Sequence, residues 1–253
     1  MWSDGHRTPR AKRPWTPFTA GLAVVMTLLL LVIIGRLVVV YLGSRTGYDA
    51  DRDYPTPEIE DGGGSFAFSA LQADGRTPVT YDPCQPIRLQ INPENAPPDH
   101  RKLVERAVVH TSEATGFEFD ILGTTDSRKV GQPLDQDAAP PPVLVMWADE
   151  HEFGALAGGT AGVAGSTKLT VSPSFSRYIT GFVVLDRVNF DQMAELHADE
   201  PAQAIVDHEF GHLVGLSHVK DSGELMHEEN VGQTSYGPGD REGLARLGNV
   251  ACH

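Results

Sequence analysis

Apolar residues follow three different spacings along this chain, and each predicts a different element. Residues 18–42 are apolar apart from Thr19, Thr27 and Arg36, a run long enough to span a bilayer as one helix. Arg36 lies near its C-terminal end, where a long side chain reaches the interface. Beyond residue 64 the apolar runs shorten and alternate. Residues 65–71 (SFAFSAL) read as a short strand leading to a turn at Asp74-Gly75. IRLQI at 87–91 alternates as a half-buried strand should. Residues 98–115, with Leu103, Ala107 and Val108 and a stop at Gly116, predict a helix. A second strand is expected at 117–122, then a polar, Pro-rich loop at 123–141. VLVMW at 143–147 is continuously apolar, as in a strand buried in a mixed sheet. The Gly/Ala-rich run 154–165 reads as loop with room for an exposed edge strand, and 178–185 as another strand. Pro201, after Asp199 and Glu200, starts a long helix whose core face is Val206, Phe210, Leu213 and Val214. A last helix is expected at 240–247. The order predicts an α+β domain with a mixed sheet.

Charge divides the chain at the apolar run. Residues 1–43 hold five of the 20 Lys/Arg and one of the 34 Asp/Glu, which leaves 15 basic against 33 acidic side chains beyond them, a balance of −18. A domain that acidic is a poor partner for nucleic acid or anionic lipid. Basic residues before the span and Asp49, Asp51 and Asp53 after it orient the N-terminus toward the cytoplasm. The expected organisation is a basic tail at 1–17, a signal anchor at 18–42, an acidic Gly/Pro-rich linker at 43–64 and a folded domain at 65–253. A cleaved signal peptide is the competing reading, but no A-x-A site follows the run. Either way the domain is expected outside the cytoplasm, where Cys84 and Cys252, the two cysteines of the chain, are expected to form a disulfide.

The chemistry concentrates in residues 205–226, IVDHEFGHLVGLSHVKDSGELM. His208, Glu209, His212, Gly215 and His218 fit H-E-x-x-H-x-x-G-x-x-H, and Met226 follows eight residues after His218. Five fixed residues at these spacings fall together by chance about once in 10^4 chains of this composition. Two histidines four apart on a helix sit about 40° apart around its axis, so both imidazoles reach one ion. Gly215 can end the helix in a left-handed conformation without a Cβ penalty. His218 can then swing round to complete a three-histidine site with one position open, the arrangement of a catalytic zinc. Glu209 is free to hold a water beside the metal. Asp207 points about 100° away from His208 and is no ligand candidate.

This segment resembles the metzincin clan of zinc peptidases, and within it the matrixin-like members. HVKDSGELM matches the matrixin run from third ligand to Met-turn in length, with Gly223, Leu225 and Met226 in place. The resemblance implies one catalytic Zn2+ on His208, His212 and His218, with Glu209 as general base and acid. It implies Met226 as the apolar floor of the site and a protein or peptide as substrate. It also implies a twisted mixed sheet whose edge strand, sought within 158–166, pairs with extended substrate backbone. His227 departs from the family, which has tyrosine after the methionine, and no proline follows it.

Other candidates rank below this one. His151 is the sole histidine between Phe117 and Leu196, which argues against the extra structural zinc of animal matrixins. Asp149 and Glu150 could touch calcium, although acidic loop residues are more often solvated. His110, His197 and His227 read as bystanders. Cys84, in YDPCQP, could instead be a latency thiol capping the metal. The alternative function is a catalytically idle zinc-binding envelope module, which has no chemical need of Glu209.

Overall fold

The computed structural model describes residues 54–131, 134, 138–229 and 232–253. The expected anchor at 18–42 and the tail before it lie outside the described residues. Among the described residues, no helix is long and apolar enough to cross a membrane.

The fold is α+β. Among the described residues, seven strands and four α-helices run in the order β1 (Ala67–Phe68), β2 (Ile87–Ile91), α1 (His100–Thr115), β3 (Phe119–Thr124), β4 (Val143–Ala148), β5 (Gly162–Ser172), β6 (Phe175–Asp186), α2 (Arg187–Glu195), α3 (Asp199–Val214), β7 (Leu216–Ser217) and α4 (Pro238–Gly248). Five strands form a mixed sheet in the order β3-β2-β4-β6-β5, and β1 pairs with β7 separately. The pairs β2/β3, β2/β4 and β4/β6 are parallel, while β5 runs antiparallel to β6 at the edge.

Strand alternation divides β4 between two cores. Val143, Val145 and Trp147 enter the main core, with Leu103 and Ala107 of α1, Phe190 of α2 and Phe210 and Leu213 of α3. Leu144, Met146 and Ala148 face a smaller cluster with Leu156 and Val184. Both faces of β4 are therefore dry, which explains its unbroken apolar run.

Several boundaries moved for identifiable reasons. β3 begins two residues later than expected because Phe117, though buried, donates its N–H to the Thr115 hydroxyl instead of a ladder. The helix α3 begins at Asp199, so Pro201 falls within the first turn, whose N–H groups have no intrahelical acceptor. The Gly/Ala-rich run is mostly turn, as expected, and its last residues, from Gly162, open the long β5–β6 hairpin, whose strands pair from Gly162↔Leu185 to Ser172↔Phe175. Helix α2 was not foreseen. Its N-cap is Asp186, whose carboxylate accepts the N–H groups of Val188 and Asn189.

Residues 54–64 have no helix or strand and run along α1 and α4. Pro55 and Thr56 lie against Gly116, Gly62 against Pro238, and Gly64 against Glu224 and Gly239. Cys84 and Cys252 are joined in a disulfide, with Cα atoms 5.4 Å apart.

Candidate metal centre

Helix α3 carries His208, Glu209 and His212 and must end at once if a third histidine is to reach them. Gly215 ends it at φ 125°, donating its N–H to Gly211 and His212. The chain then enters β7, held by pairing with β1, and delivers His218. Beyond His218 the loop is closed: Val219 N–H donates to Met226 O at 3.0 Å and Glu228 N–H to Val219 O at 3.3 Å. The third histidine is thus pinned on both sides by backbone bonds.

The three imidazoles converge through Nε2. His218 Nε2 lies 3.1 Å from that of His208 and 3.0 Å from that of His212. The far nitrogens explain why these edges face inward. His208 Nδ1–H donates to Leu225 O at 2.7 Å, and His212 Nδ1–H to Leu216 O at 2.9 Å. A carbonyl only accepts, so both rings carry their proton on Nδ1 and present a lone pair on Nε2. Burial pushes the pKa of His208 down to about 4 and that of His212 to about 3, and it lowers that of His218 as well. All three are therefore neutral near pH 7, the form that ligates metal.

This cluster can hold a metal ion. Three nitrogens about 2.0–2.1 Å from a tetrahedral ion stand about 3.3–3.4 Å apart, close to the separations found. A set of imidazoles without thiolate suits zinc, copper, nickel or iron.

Glu209 completes the centre. The residue is buried, 5% exposed, and its Oε2 has no hydrogen-bond partner among the described residues. Burial raises its pKa to about 8; a divalent cation beside it would act in the opposite sense. Gly162 of β5 stands directly against it. A Cβ there would lie 2.7–2.9 Å from Glu209 Cγ, Cδ and Oε1. Met226 is fully buried, and its sulfur packs against Gly211, between the two helical ligands. Met226 therefore contacts the helix that carries His208 and His212.

Supporting residues appear that the motif does not reveal. Asp240 of α4 accepts the N–H groups of Leu225 and Gly237. Leu225 is the residue whose carbonyl orients His208, so one residue links the Asp240 carboxylate to that imidazole. Glu224 in turn accepts from Gly239 at 2.9 Å and Asp240 at 2.8 Å. Asp207 is buried and accepts from His110 Nδ1 and Gln203, both at 2.7 Å. His110 is therefore a tie between α1 and α3 and no bystander. Tyr236 adds a second tie, donating to Asp207 O at 2.6 Å. The one available signal was Gly237-Pro238 with Asp240 behind it, a helix start with an acid in its first turn.

Elsewhere, Asp149 is engaged by Arg187 at 2.7 Å and by the N–H groups of His151 and Glu152. Arg187 first, and then those N–H groups, hold its pKa below the usual carboxylate value. Cys84 cannot cap the metal, since its sulfur is taken by Cys252.

The centre opens into a cleft of about 710 Å³. One wall is residues 158–164, leading into β5; the other is Leu225 and residues 227–229. Comparison with protein-family models returns no match, and comparison with curated protein sequences returns none either.

Proposed function

We propose that this chain is a zinc-dependent endopeptidase, matrixin-like within the metzincin clan, that cleaves protein or peptide substrates outside the cytoplasm. The observation that carries the reading is one arrangement: three neutral imidazoles converge on one point at the floor of an open cleft, beside a buried carboxylate with no hydrogen-bond partner on Oε2 among the described residues. A structural metal site has no use for the carboxylate. Zinc bound there would polarise the scissile carbonyl and lower the pKa of its water. The chain's own groups do the rest. Glu209 takes the proton of the attacking water and gives it to the leaving nitrogen. Water oxygen bonds the carbonyl carbon, the C–N bond breaks, and a carboxylate and an amine leave. The edge strand β5 supports a peptide substrate, because no strand pairs with its outer side among the described residues.

The disulfide supports an oxidising compartment, and with the apolar run 18–42 it favours a single-pass anchor with a cytoplasmic N-terminus. The function is tested with the full-length chain on a fluorogenic peptide library. Cleavage that a chelator abolishes and zinc restores is the expected result. Bound zinc without cleavage of any peptide would leave the idle module instead.

A further inference from the structure

The two walls of the cleft differ in charge. The β5 wall is small and uncharged, with Thr160, Ala161, Gly162 and Val163. The opposite wall carries Glu228 and Glu229, and no Lys or Arg lines the cleft anywhere among the described residues. Neither glutamate is placed at random. Glu228 is anchored through its N–H to Val219 O, one residue from His218. Glu229 is held by His227, whose Nδ1 lies 2.7 Å from its carbonyl oxygen. Both side chains are exposed to the cleft mouth and make no ion pair among the described residues. A second feature of the same cleft also faces a missing partner: the buried Glu209 Oε2 lacks any hydrogen bond among the described residues.

Resting on the peptidase reading, we infer that the cleft selects basic peptide segments, with Glu228 and Glu229 receiving a lysine or arginine side chain that flanks the scissile bond. Carboxylates of one sign on a concave wall focus their field into the groove, and the −18 balance beyond residue 43 adds to it. An uncharged β5 wall leaves the extended backbone to be held by strand pairing, so discrimination falls to the other wall. Exposed ion pairs are individually weak, so the two together are worth about tenfold in selectivity.

The experiment compares peptides alike except for one residue beside the cut: lysine, norleucine or glutamate. In wild type kcat/KM should fall in that order, with lysine about tenfold above norleucine at low salt. The gap should narrow at 0.5 M salt, where exposed charges are screened. Glu228→Gln/Glu229→Gln should remove the lysine advantage while the norleucine rate changes less than about twofold and zinc content is unchanged. Equal rates for the three peptides in wild type, or a lysine preference that survives both substitutions, would overturn the inference and leave the peptidase standing. If no peptide is cleaved, the peptidase reading fails, and fluorescence anisotropy on the Glu209→Ala chain decides the inference alone. Tighter binding of the lysine peptide, lost on neutralising Glu228 and Glu229, upholds it; equal binding sinks it.

Discussion

Gly162 shows that an absent side chain can matter as much to this site as a present one. A methyl group there would press on three atoms of Glu209, and the carboxylate would have to turn out of place. Gly162→Ala should therefore keep its fold and its zinc yet lose at least about tenfold in kcat, within the 10²–10⁴-fold that a positioned acid–base group contributes. Full activity in that variant would mean Glu209 moves freely. Glu209→Ala should retain zinc, because the three imidazoles remain, and lose cleavage. His218→Ala should fail differently, since two ligands on one helix hold zinc weakly. Elemental analysis beside the peptide assay separates the two. A Glu209→Ala chain depleted of metal would make that residue structural. The convergence of the three histidines and the helix end at Gly215 were legible in the sequence because helix period and glycine stop fix their geometry locally. The groups that orient them were not. Leu216 and Leu225 act through backbone carbonyls, which no side-chain pattern records.

Among the elements, those with a strong period were legible and those built from small residues were not. β2 fell on its expected residues, and β4 needed one more, because alternation and an unbroken apolar run both report burial. The start of β5, GVAGST, has too few large side chains to show a period, and its pairing with β6 forms it all the same. α4 was expected, but its role was hidden by sequence distance: it reaches back to the Leu225–Met226 turn through Asp240. Burial, opposed by bonds from backbone N–H and reinforced by nearby Glu224, raises the pKa of Asp240 to about 6 from 3.8. The sign follows from proton counts. Between about pH 4 and 6 the folded chain holds a proton the unfolded one has lost, so this group's contribution to stability falls as pH rises and is flat above the window. The loss amounts to about 3 kcal/mol at most. Urea unfolding of wild type and Asp240→Asn should show it, with wild type losing ground to the variant from pH 4 to 6 and the difference constant from pH 7 to 8. A difference that does not vary with pH would mean that Asp240 is ionised in the fold throughout.

On the scale of the whole molecule, the centre and the covalent tie are separate devices. The centre belongs to α3, β7 and the turn held by α4, whereas the disulfide joins the segment before β2 to the residues after α4. The cysteine pair was legible because a chain with two cysteines has one intramolecular pairing to make. What it holds was not, since a separation of 168 residues says nothing of which elements lie between the ends. The main core includes Leu244 and Leu247 of α4, packed with residues of β2 and α3, so the C-terminal helix has apolar contacts of its own. Breaking the bridge should therefore loosen the unfolded chain more than it alters the folded one. In the chain-entropy account, a loop of this length is worth about 5 kcal/mol. At about 2–4 °C per kcal/mol for a domain of this size, Cys84→Ser/Cys252→Ser should melt about 10–20 °C lower. Its kcat/KM at 25 °C and its zinc content should match wild type, because neither cysteine touches a residue of the centre. Calorimetry with the peptide assay run on the same sample tests both halves. An unchanged melting temperature would show that the unfolded chain gains nothing from release. Lost activity at 25 °C in a chain still folded would show that the tie reaches the site through α4.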